Sequence, residues 1–283
     1  MVRSVFSESG ATRRIRGFGK IEPKTGTADA FFAIPPVPQG VESTVSLHFD
    51  NATEGMVNST TNALGIGNTW SYLCWCKLDN AADTTYNVLI RLLTSANAAH
   101  HLHVRQENDG KFLVELANTS STIFKAYKWN NPWTSGVWLF VVVTWDGTNL
   151  KAYFNGTLTA PSSTPTDNSG STSDESLKVF IGCFDTTPNH VWDGPIHSTA
   201  LLNVVLTQAQ ITDLYNSGDG STVDLRQAQG TYTSTEVAAR KHYWRHGFNA
   251  SSIGEDLGTA STLIDIAANA INMTAADIVS DAP

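Results

Sequence analysis

From residue 45 onward, apolar and polar positions alternate in short runs, which is the pattern of half-buried β-strands. The clearest run is 137–145, where the odd positions hold Val, Leu, Val, Val and Trp and the even positions hold Trp, Phe, Val and Thr. Both faces of this strand are apolar, so we expect it to lie inside a two-sheet sandwich or to be covered on both sides. Further strands are predicted at 45–50, 70–78, 86–93, 100–106, 111–117, 122–129, 150–154, 157–159, 177–184 and 191–203.

Turn residues between these runs predict a meander of hairpins. Asp146-Gly147 and Asn155-Gly156 supply the positive φ that tight hairpins require. The polar segment 160–176 is predicted to be a long exposed loop. Eight to twelve strands of this kind indicate an all-β chain, an antiparallel two-sheet β-sandwich of jelly-roll type.

One short helix is predicted between the strands. Thr207-Gln-Ala-Gln210 has the spacing of a capping box, in which each side chain bonds the other residue's backbone amide. Ile211, Leu214 and Tyr215 then form an apolar stripe, and Gly218 ends the helix.

Composition and charge narrow the class of protein. The 283 residues are 41% hydrophobic and 16% charged, with a formal charge of −8, which argues against a nucleic-acid-coating surface. The chain has no apolar run of membrane-spanning length and no signal peptide is predicted at its start. The three cysteines are too few for a disulfide framework and are predicted to be buried thiols.

The sequence divides into three segments. Residues 1–44 show little periodicity and end in a proline-rich stretch, so they are predicted to form an extended N-terminal arm. Residues 1–30 contain six Lys or Arg against three Asp or Glu, whereas the rest of the chain is acidic. Residues 45–218 are the predicted sandwich, and 219–283 a C-terminal extension that packs on the sandwich or on partner subunits.

Several of these stretches occur in the order found in one known family. They are Val45–Asp50, Trp70–Lys77, Gly136–Gly147 with Leu150–Gly156, Leu177–Gly182, Trp192–Ile196 and Leu206–Tyr215. Together they resemble the laminin G-like and pentraxin-like branch of the concanavalin A-like lectin and glucanase superfamily. The resemblance implies the jelly-roll fold, and this fold serves lectins, glycosidases and structural modules alike. The block from Tyr243 to Pro283 resembles tails that follow such domains in virion-associated proteins of marine bacteriophages.

Catalytic and metal-binding chemistry is not predicted. A retaining glycosidase of this superfamily needs paired carboxylates on one strand, and Glu107 and Glu115 instead flank a turn. His101 and His103 share a strand face but lack a third ligand, so a solvent-facing position is expected for them. Asp185, Asn189 and Asp193 are near the predicted sandwich rim, where family members often hold calcium, and are left unassigned. We predict a non-enzymatic protein with no cofactor.

Two sets of residues are candidates for binding. Arg13, Arg14, Arg16 and Lys20 make the arm basic and are predicted to dock on a partner protein. An aromatic turn at 127–133 is the candidate glycan platform, although core packing of its rings is the favoured alternative. Its residues are Tyr127, Trp129, Asn130 and Trp133.

The arm and the phage resemblance together favour a structural role in a virion. We predict a capsid decoration or tail-associated protein, assembled in the host cytoplasm, which binds other virion proteins and forms a homo-oligomer. Nucleic acid and membrane are not expected as partners. The alternative is an extracellular lectin or adhesin that binds cell-surface glycans.

Overall fold

The computed structural model describes most of the predicted sandwich. The described residues are 46–50, 55–82, 85–94, 100–118, 120–172, 176–185 and 190–244, with two further strands at 259–260 and 276–279. The chain divides between residues 39 and 40, and every described residue belongs to the second part. The predicted arm at 1–44 lies outside the described residues, as does most of 245–283.

Sixteen strands and two helices are present in the described residues. The strands are β1 Ser46–Asp50, β2 Met56–Ala63, β3 Trp70–Cys76, β4 Asn87–Thr94, β5 His100–Gln106, β6 Phe112–Ala117, β7 Ile123–Trp129, β8 Leu139–Trp145, β9 Leu150–Phe154, β10 Thr157–Thr159, β11 Ser163–Asp167, β12 Ser176–Ile181, β13 Asp193–Leu202, β14 Arg240–Trp244, β15 Thr259–Ala260 and β16 Ala276–Val279. The helices are α1 Gln208–Tyr215 and α2 Ser234–Ala239.

The strands form two antiparallel sheets, which confirms the all-β sandwich. The first sheet has the order β10-β9-β8-β3-β13-β1-β16-β15, with β14 also paired to β13. The second sheet has the order β11-β7-β6-β5-β4-β12-β2. Apolar side chains from both sheets pack into one buried cluster between them.

Strand β8 is covered on both faces, as its sequence predicts. Leu139, Val141 and Val143 belong to the cluster between the sheets. Phe140 and Val142 belong to a second buried cluster on the outer side of the first sheet. Residues of the segment 203–239 complete this second cluster, so this segment covers the outer face of the first sheet.

The covering segment contains the predicted helix. Thr207 is the N-cap of α1, its hydroxyl accepts from the amide of Gln210 at 3.3 Å, and its amide donates to Gln210 Oε1 at 2.8 Å. The capping box is therefore confirmed. Ile211 and Leu214 are buried beneath it. Helix α2, which was not predicted, begins with a second capping box formed by Thr233 and Glu236.

The predicted loop at 160–176 is partly wrong, because it contains strand β11. This edge strand pairs with β7 through its backbone, and Ser162 and Asn168 extend the pairing with bonds to the carbonyls of Lys128 and Phe124 at 2.7 and 2.8 Å. Its side chains are mostly exposed Ser and Thr, so it carries no alternating apolar signal.

The short hairpin turn at 155–156 is confirmed. Asn155 and Gly156 have φ angles of +49° and +76°, as a tight hairpin requires. The turn at Asp146 is longer, because Trp145 pairs with Leu150 and four residues connect them. The three cysteines are free and buried, as predicted. In the described part of the chain, neither helix has the length and apolarity needed to cross a membrane.

Candidate functional site

The outer face of the second sheet carries charged side chains in its centre. Arg91 of β4 lies opposite His103 of β5, and His103 lies opposite Glu115 of β6. Their strand neighbours Ile90 and Val104 belong to the core. Because side chains alternate between the faces of a sheet, the charged row lies on the side away from the core.

Arg105 is held in place by its neighbours on this face. Its Nε donates to Glu107 Oε1 at 2.5 Å, and its Nη1 donates to Glu115 Oε2 at 2.9 Å. The same Nη1 lies 2.5 Å from Nδ1 of His103, which is the acceptor because a guanidinium only donates. Lys128 Nζ donates to Glu107 Oε2 at 3.0 Å. The guanidinium is thus fixed before any ligand arrives.

Arg105 also lines a pocket of about 240 Å³, which we call the aromatic pocket. The described residues that line it are Tyr86, Arg105, Phe184 and His190. The His190 ring meets the rings of Tyr86 and Phe184 edge-on, with centroids 5.1 and 5.4 Å away. The guanidinium carbon of Arg105 lies 5.5 Å from the Tyr86 ring centroid. The pocket therefore combines aromatic surfaces with one oriented cation.

Arg91 lies against the aromatic pocket through Phe184. Its guanidinium carbon is 3.7 Å from the centroid of the Phe184 ring, and its Nη1 donates to the Phe184 carbonyl at 2.7 Å. Burial lowers the pKa of Arg91, and the nearby charge of Arg105 acts in the same direction, while Asp185 and Glu115 oppose the shift. Arg91 thus carries its charge in a poorly solvated place.

The backbone near Phe184 and His190 is anchored to β4. The His190 carbonyl accepts from the amide of Val88 at 3.2 Å, and the Gly182 amide donates to the carbonyl of Leu89 at 3.1 Å. His190 has a φ of +49°, an uncommon conformation for a residue with a side chain. These bonds bring Phe184 and His190 to the end of β4 where Tyr86 lies.

The geometry suits a particular kind of ligand. Aromatic rings offer flat apolar surfaces that pack against C–H groups, and a guanidinium donates to oxygen acceptors. In the described structure Nη2 of Arg105 has no hydrogen-bond partner, so its N–H groups remain available to a ligand. A ligand with a flat ring and oxygen atoms at its rim matches this arrangement.

A family comparison matches the part of the chain that contains this pocket. The laminin G profile described as "Concanavalin A-like lectin/glucanases superfamily" matches residues 51–212, which is more than half of the chain. The chain belongs to the concanavalin A-like lectin and glucanase superfamily. The resemblance drawn from the sequence is therefore confirmed for the fold family, and the phage resemblance of the tail stays a prediction.

Solved structures are similar to the chain at low sequence identity. A structure described as a "putative carbohydrate binding protein" from Bacteroides ovatus has a TM-score of 0.57 and 15% identity, covering 86% of this chain and 61% of its own. A pentraxin from Limulus polyphemus has a TM-score of 0.44 and 16% identity, covering 62% of this chain and 83% of its own. A Trypanosoma rangeli sialidase has a TM-score of 0.48 and 18% identity, covering 63% of this chain and 28% of its own.

These relatives differ from the chain in length as well as in sequence. The chain spans less than two thirds of the Bacteroides ovatus protein. No curated protein matches the chain by sequence.

In this concanavalin A-like chain the predicted aromatic turn does not present its tryptophan rings. Trp129 is fully buried, and its Nε1 donates to the Thr159 carbonyl at 2.9 Å. Trp133 is 5% exposed and packs edge-on against Trp192, with centroids 5.6 Å apart. Core packing, the favoured alternative, is thus what the structure shows for both rings. Asn130 is exposed.

Tyr127 is half-buried and lies elsewhere on the second sheet. Burial and a hydrogen bond to Asp167 raise the pKa of Tyr127 to about 12, so its hydroxyl stays protonated at neutral pH. Lys125 also contacts the Asp167 carboxylate. Tyr127 is therefore one part of a local polar network at the β7–β11 edge.

The structure corrects one expectation about histidines. His101 and His103 are 1% and 0% exposed, so they are not the solvent-facing residues that the sequence predicts. Asp185 is half-buried, and Asn189 lies outside the described residues. Among the side chains that the structure describes, no three His, Cys, Asp or Glu residues form a group that could hold a metal ion.

The basic arm is not among the residues that the structure describes. Arg13, Arg14, Arg16 and Lys20 lie outside the described residues, and their docking role stays a prediction.

The sequence did not identify the residues of the aromatic pocket. Tyr86, Phe184 and His190 flank strands, where a single aromatic residue carries no motif. The one usable signal is charge inside strands, because Arg91, Arg105 and Glu115 interrupt otherwise apolar runs. Such residues mark a sheet face that does not pack against a core.

Proposed function

We propose that this protein binds carbohydrate in the aromatic pocket. The observation that carries the proposal is the pocket itself, which Tyr86, Phe184 and His190 line together with the fixed side chain of Arg105. A pyranose offers C–H groups on its faces and oxygen atoms at its rim, which match the rings and the guanidinium respectively. Carbohydrate binding is also the function given in the description of the Bacteroides ovatus relative.

The size of the pocket indicates a small part of a glycan as the bound unit. Its volume of about 240 Å³ is below the roughly 300–1,000 Å³ typical of sites for drug-sized ligands. A single sugar residue is therefore the natural occupant.

The charged network favours binding over hydrolysis. A glycosidase of the two-carboxylate kind needs one protonated carboxyl group as general acid. Here Glu107 and Glu115 both accept hydrogen bonds from Arg105, so the role that the geometry gives both carboxylates is to orient a guanidinium.

The experiment is a glycan array followed by titration of the best glycan against single variants of the full chain. Tyr86→Ala should weaken binding about tenfold or more, because truncation of a central aromatic contact costs more than about 1 kcal/mol. Tyr127→Ala is the matched control, since it removes a tyrosine of similar exposure from the same sheet at the alternative candidate site.

Two results would contradict the proposal. One is an array on which the folded wild-type protein binds no glycan. The other is a glycan whose affinity falls with Tyr127→Ala and not with Tyr86→Ala, because that result would move the site to the aromatic turn.

The predicted virion role is separate from this site. It depends on partner docking by the arm, which lies outside the described residues, and so it stays a prediction alongside the homo-oligomer. Glycan binding and particle assembly are compatible, since a lectin displayed on a particle would use both.

A further inference from the structure

In the part of the chain that the structure describes, no contact neutralises the charge of Arg91. Its side chain is 7% exposed, and its one hydrogen bond goes to a neutral carbonyl, that of Phe184. Its Nε is buried without a hydrogen-bond partner. In the described part of the chain no carboxylate lies within ion-pair distance of it. Buried guanidinium groups are normally paired with acidic groups, so this one lacks its usual partner.

The neighbouring charges do not supply that partner. Arg105 bonds two carboxylates, those of Glu107 and Glu115, and Lys128 shares the first of them. Among the described residues, these bonds join two cations to two anions. The charge of Asp185 acts on Arg91 only from outside bonding distance. An additional anion near Arg91 would therefore be stabilised.

Phe184 connects this charge to the proposed ligand. The ring of Phe184 lines the aromatic pocket and also stacks on the guanidinium of Arg91, 3.7 Å from its centroid. A group in the pocket lies close to an incompletely screened positive charge, and charges interact more strongly where water is scarce. Arg105, whose Nη2 has no partner among the described residues, also lines this pocket.

We propose that the sugar bound in the aromatic pocket is an acidic one, whose carboxylate bonds to Arg105 Nη2 and is stabilised by the charge of Arg91. Hexuronic and nonulosonic acids are sugars of this class. The inference rests on the proposed carbohydrate function and specifies its ligand. Arg105 is the contact residue, and Arg91 is a positioning residue that acts through the field it creates.

The net charge of the protein does not favour acidic glycans, so a preference for them would point to specific residues. At −8 the chain repels anions as a whole, so general attraction does not account for binding of acidic glycans. A preference for acids must come from local cations.

The test compares each acidic glycan with its own methyl ester, which keeps the ring and loses the charge. Wild-type full-length protein should bind the free acid at least about tenfold more tightly than the ester, which corresponds to about 1.4 kcal/mol. Equal affinity for the two forms, or tighter binding of sulfated than of carboxylated glycans, would overturn the inference. Binding of neutral glycans alone would overturn it and leave the proposed function standing, whereas no binding at all would remove the proposed function.

Variants at Arg91 test whether its charge contributes to the preference for the acid over the ester. Arg91→Met should weaken the preference for the acid, since only the bond to Arg105 then remains, while ester binding stays within about twofold. Arg91→Lys should retain more of the preference because it keeps the charge. Arg226→Met removes a charge from the covered side of the molecule and is the control. Preservation of the full preference in folded Arg91→Met would overturn the role of Arg91. If that variant fails to fold, Arg91→Lys and the ester comparison on the wild type still decide the matter.

Discussion

Gly182 has a left-handed backbone with a φ of +74°, and a Cβ atom there would lie 2.5 Å from the ring of Phe49. It stands just before Phe184, and its backbone bonds both Leu89 and Trp192. Only glycine satisfies the angle and the space together. The position of the Phe184 ring therefore depends on a residue that has no side chain.

We predict that Gly182→Ala destabilises the fold by about 1–3 kcal/mol, because it adds a steric clash to a strained backbone angle. Gly67→Ala is the matched control, since Gly67 has a φ of +63° and open space around its Cα. Denaturant titration of both variants separates the two contributions. A loss of stability no greater for Gly182→Ala than for Gly67→Ala would show that Phe49 moves away at little cost.

For single residues, the sequence correctly predicted properties that depend on the residue type itself. The positive φ of Asn155 and Gly156 follows from residue type alone. The burial of His103 did not follow, because it depends on Arg105 and Glu115, and the second of these is brought alongside by strand pairing. A polar residue within a strand looks solvent-facing until its cross-strand partners are known.

Among the helices and strands, those with a local signal were the ones predicted correctly. Helix α1 has its capping box and apolar stripe within nine residues, and it formed as expected. Strand β11 is held by backbone bonds at a sheet edge and has no apolar face, so the alternation of apolar and polar residues did not predict it. Helix α2 is only six residues long, too short for a helical period to be distinguished.

Helix α1 is tied to the loop that follows it by Asp213. Its carboxylate Oδ2 accepts from both the amide and the hydroxyl of Thr231, at 2.5 and 2.6 Å. These hydrogen bonds lower the pKa of Asp213 below its ordinary value. A group with a lowered folded-state pKa stabilises the protein above the unfolded pKa of about 3.9, and this stability is lost as the pH falls through the folded pKa.

We predict that Asp213→Asn lowers the melting temperature at pH 7 by at most about 2–4 °C, since the carboxylate is solvent-exposed. Below about pH 4 the difference from wild type should shrink, because the wild-type carboxylate is then becoming protonated. Melting curves between pH 2.5 and 7 measure both effects. Asp219→Asn in the same segment is the control, and a difference from wild type that does not depend on pH would contradict the assignment.

For the whole molecule, the two sheets have unequal outer faces. The segment 203–239 packs an apolar cluster onto the first sheet, whereas the second sheet carries the charged row and the aromatic pocket. The sandwich class and most strands could be predicted from alternation alone. The pocket could not, because the sequence separates Tyr86 from Phe184 widely and only the pairing of β4 with β12 brings them together.

Deletion of the predicted arm tests whether the sandwich folds without it. Deletion of residues 1–40 should leave a β-rich protein with an unchanged glycan affinity, because this stretch lacks the apolar alternation that marks the strands of the sandwich and the proposed contact residue Arg105 lies far from it in sequence. Circular dichroism and glycan titration are the measurements. Loss of the β-sheet signal on deletion would show that the arm belongs to the fold, and its docking role would then need separate evidence.

Strand β13 determines when the sandwich can be completed during synthesis. It pairs with β3 on one side and with β1 on the other, so Ile196 lies between Cys76 and Leu47, which the ribosome makes far earlier. Such distant pairings close late and slow folding to about milliseconds to seconds. Until residue 202 has left the ribosome, β3 has apolar residues on both faces and one edge without a partner strand. A nascent chain in that state is prone to aggregate with other chains by strand pairing.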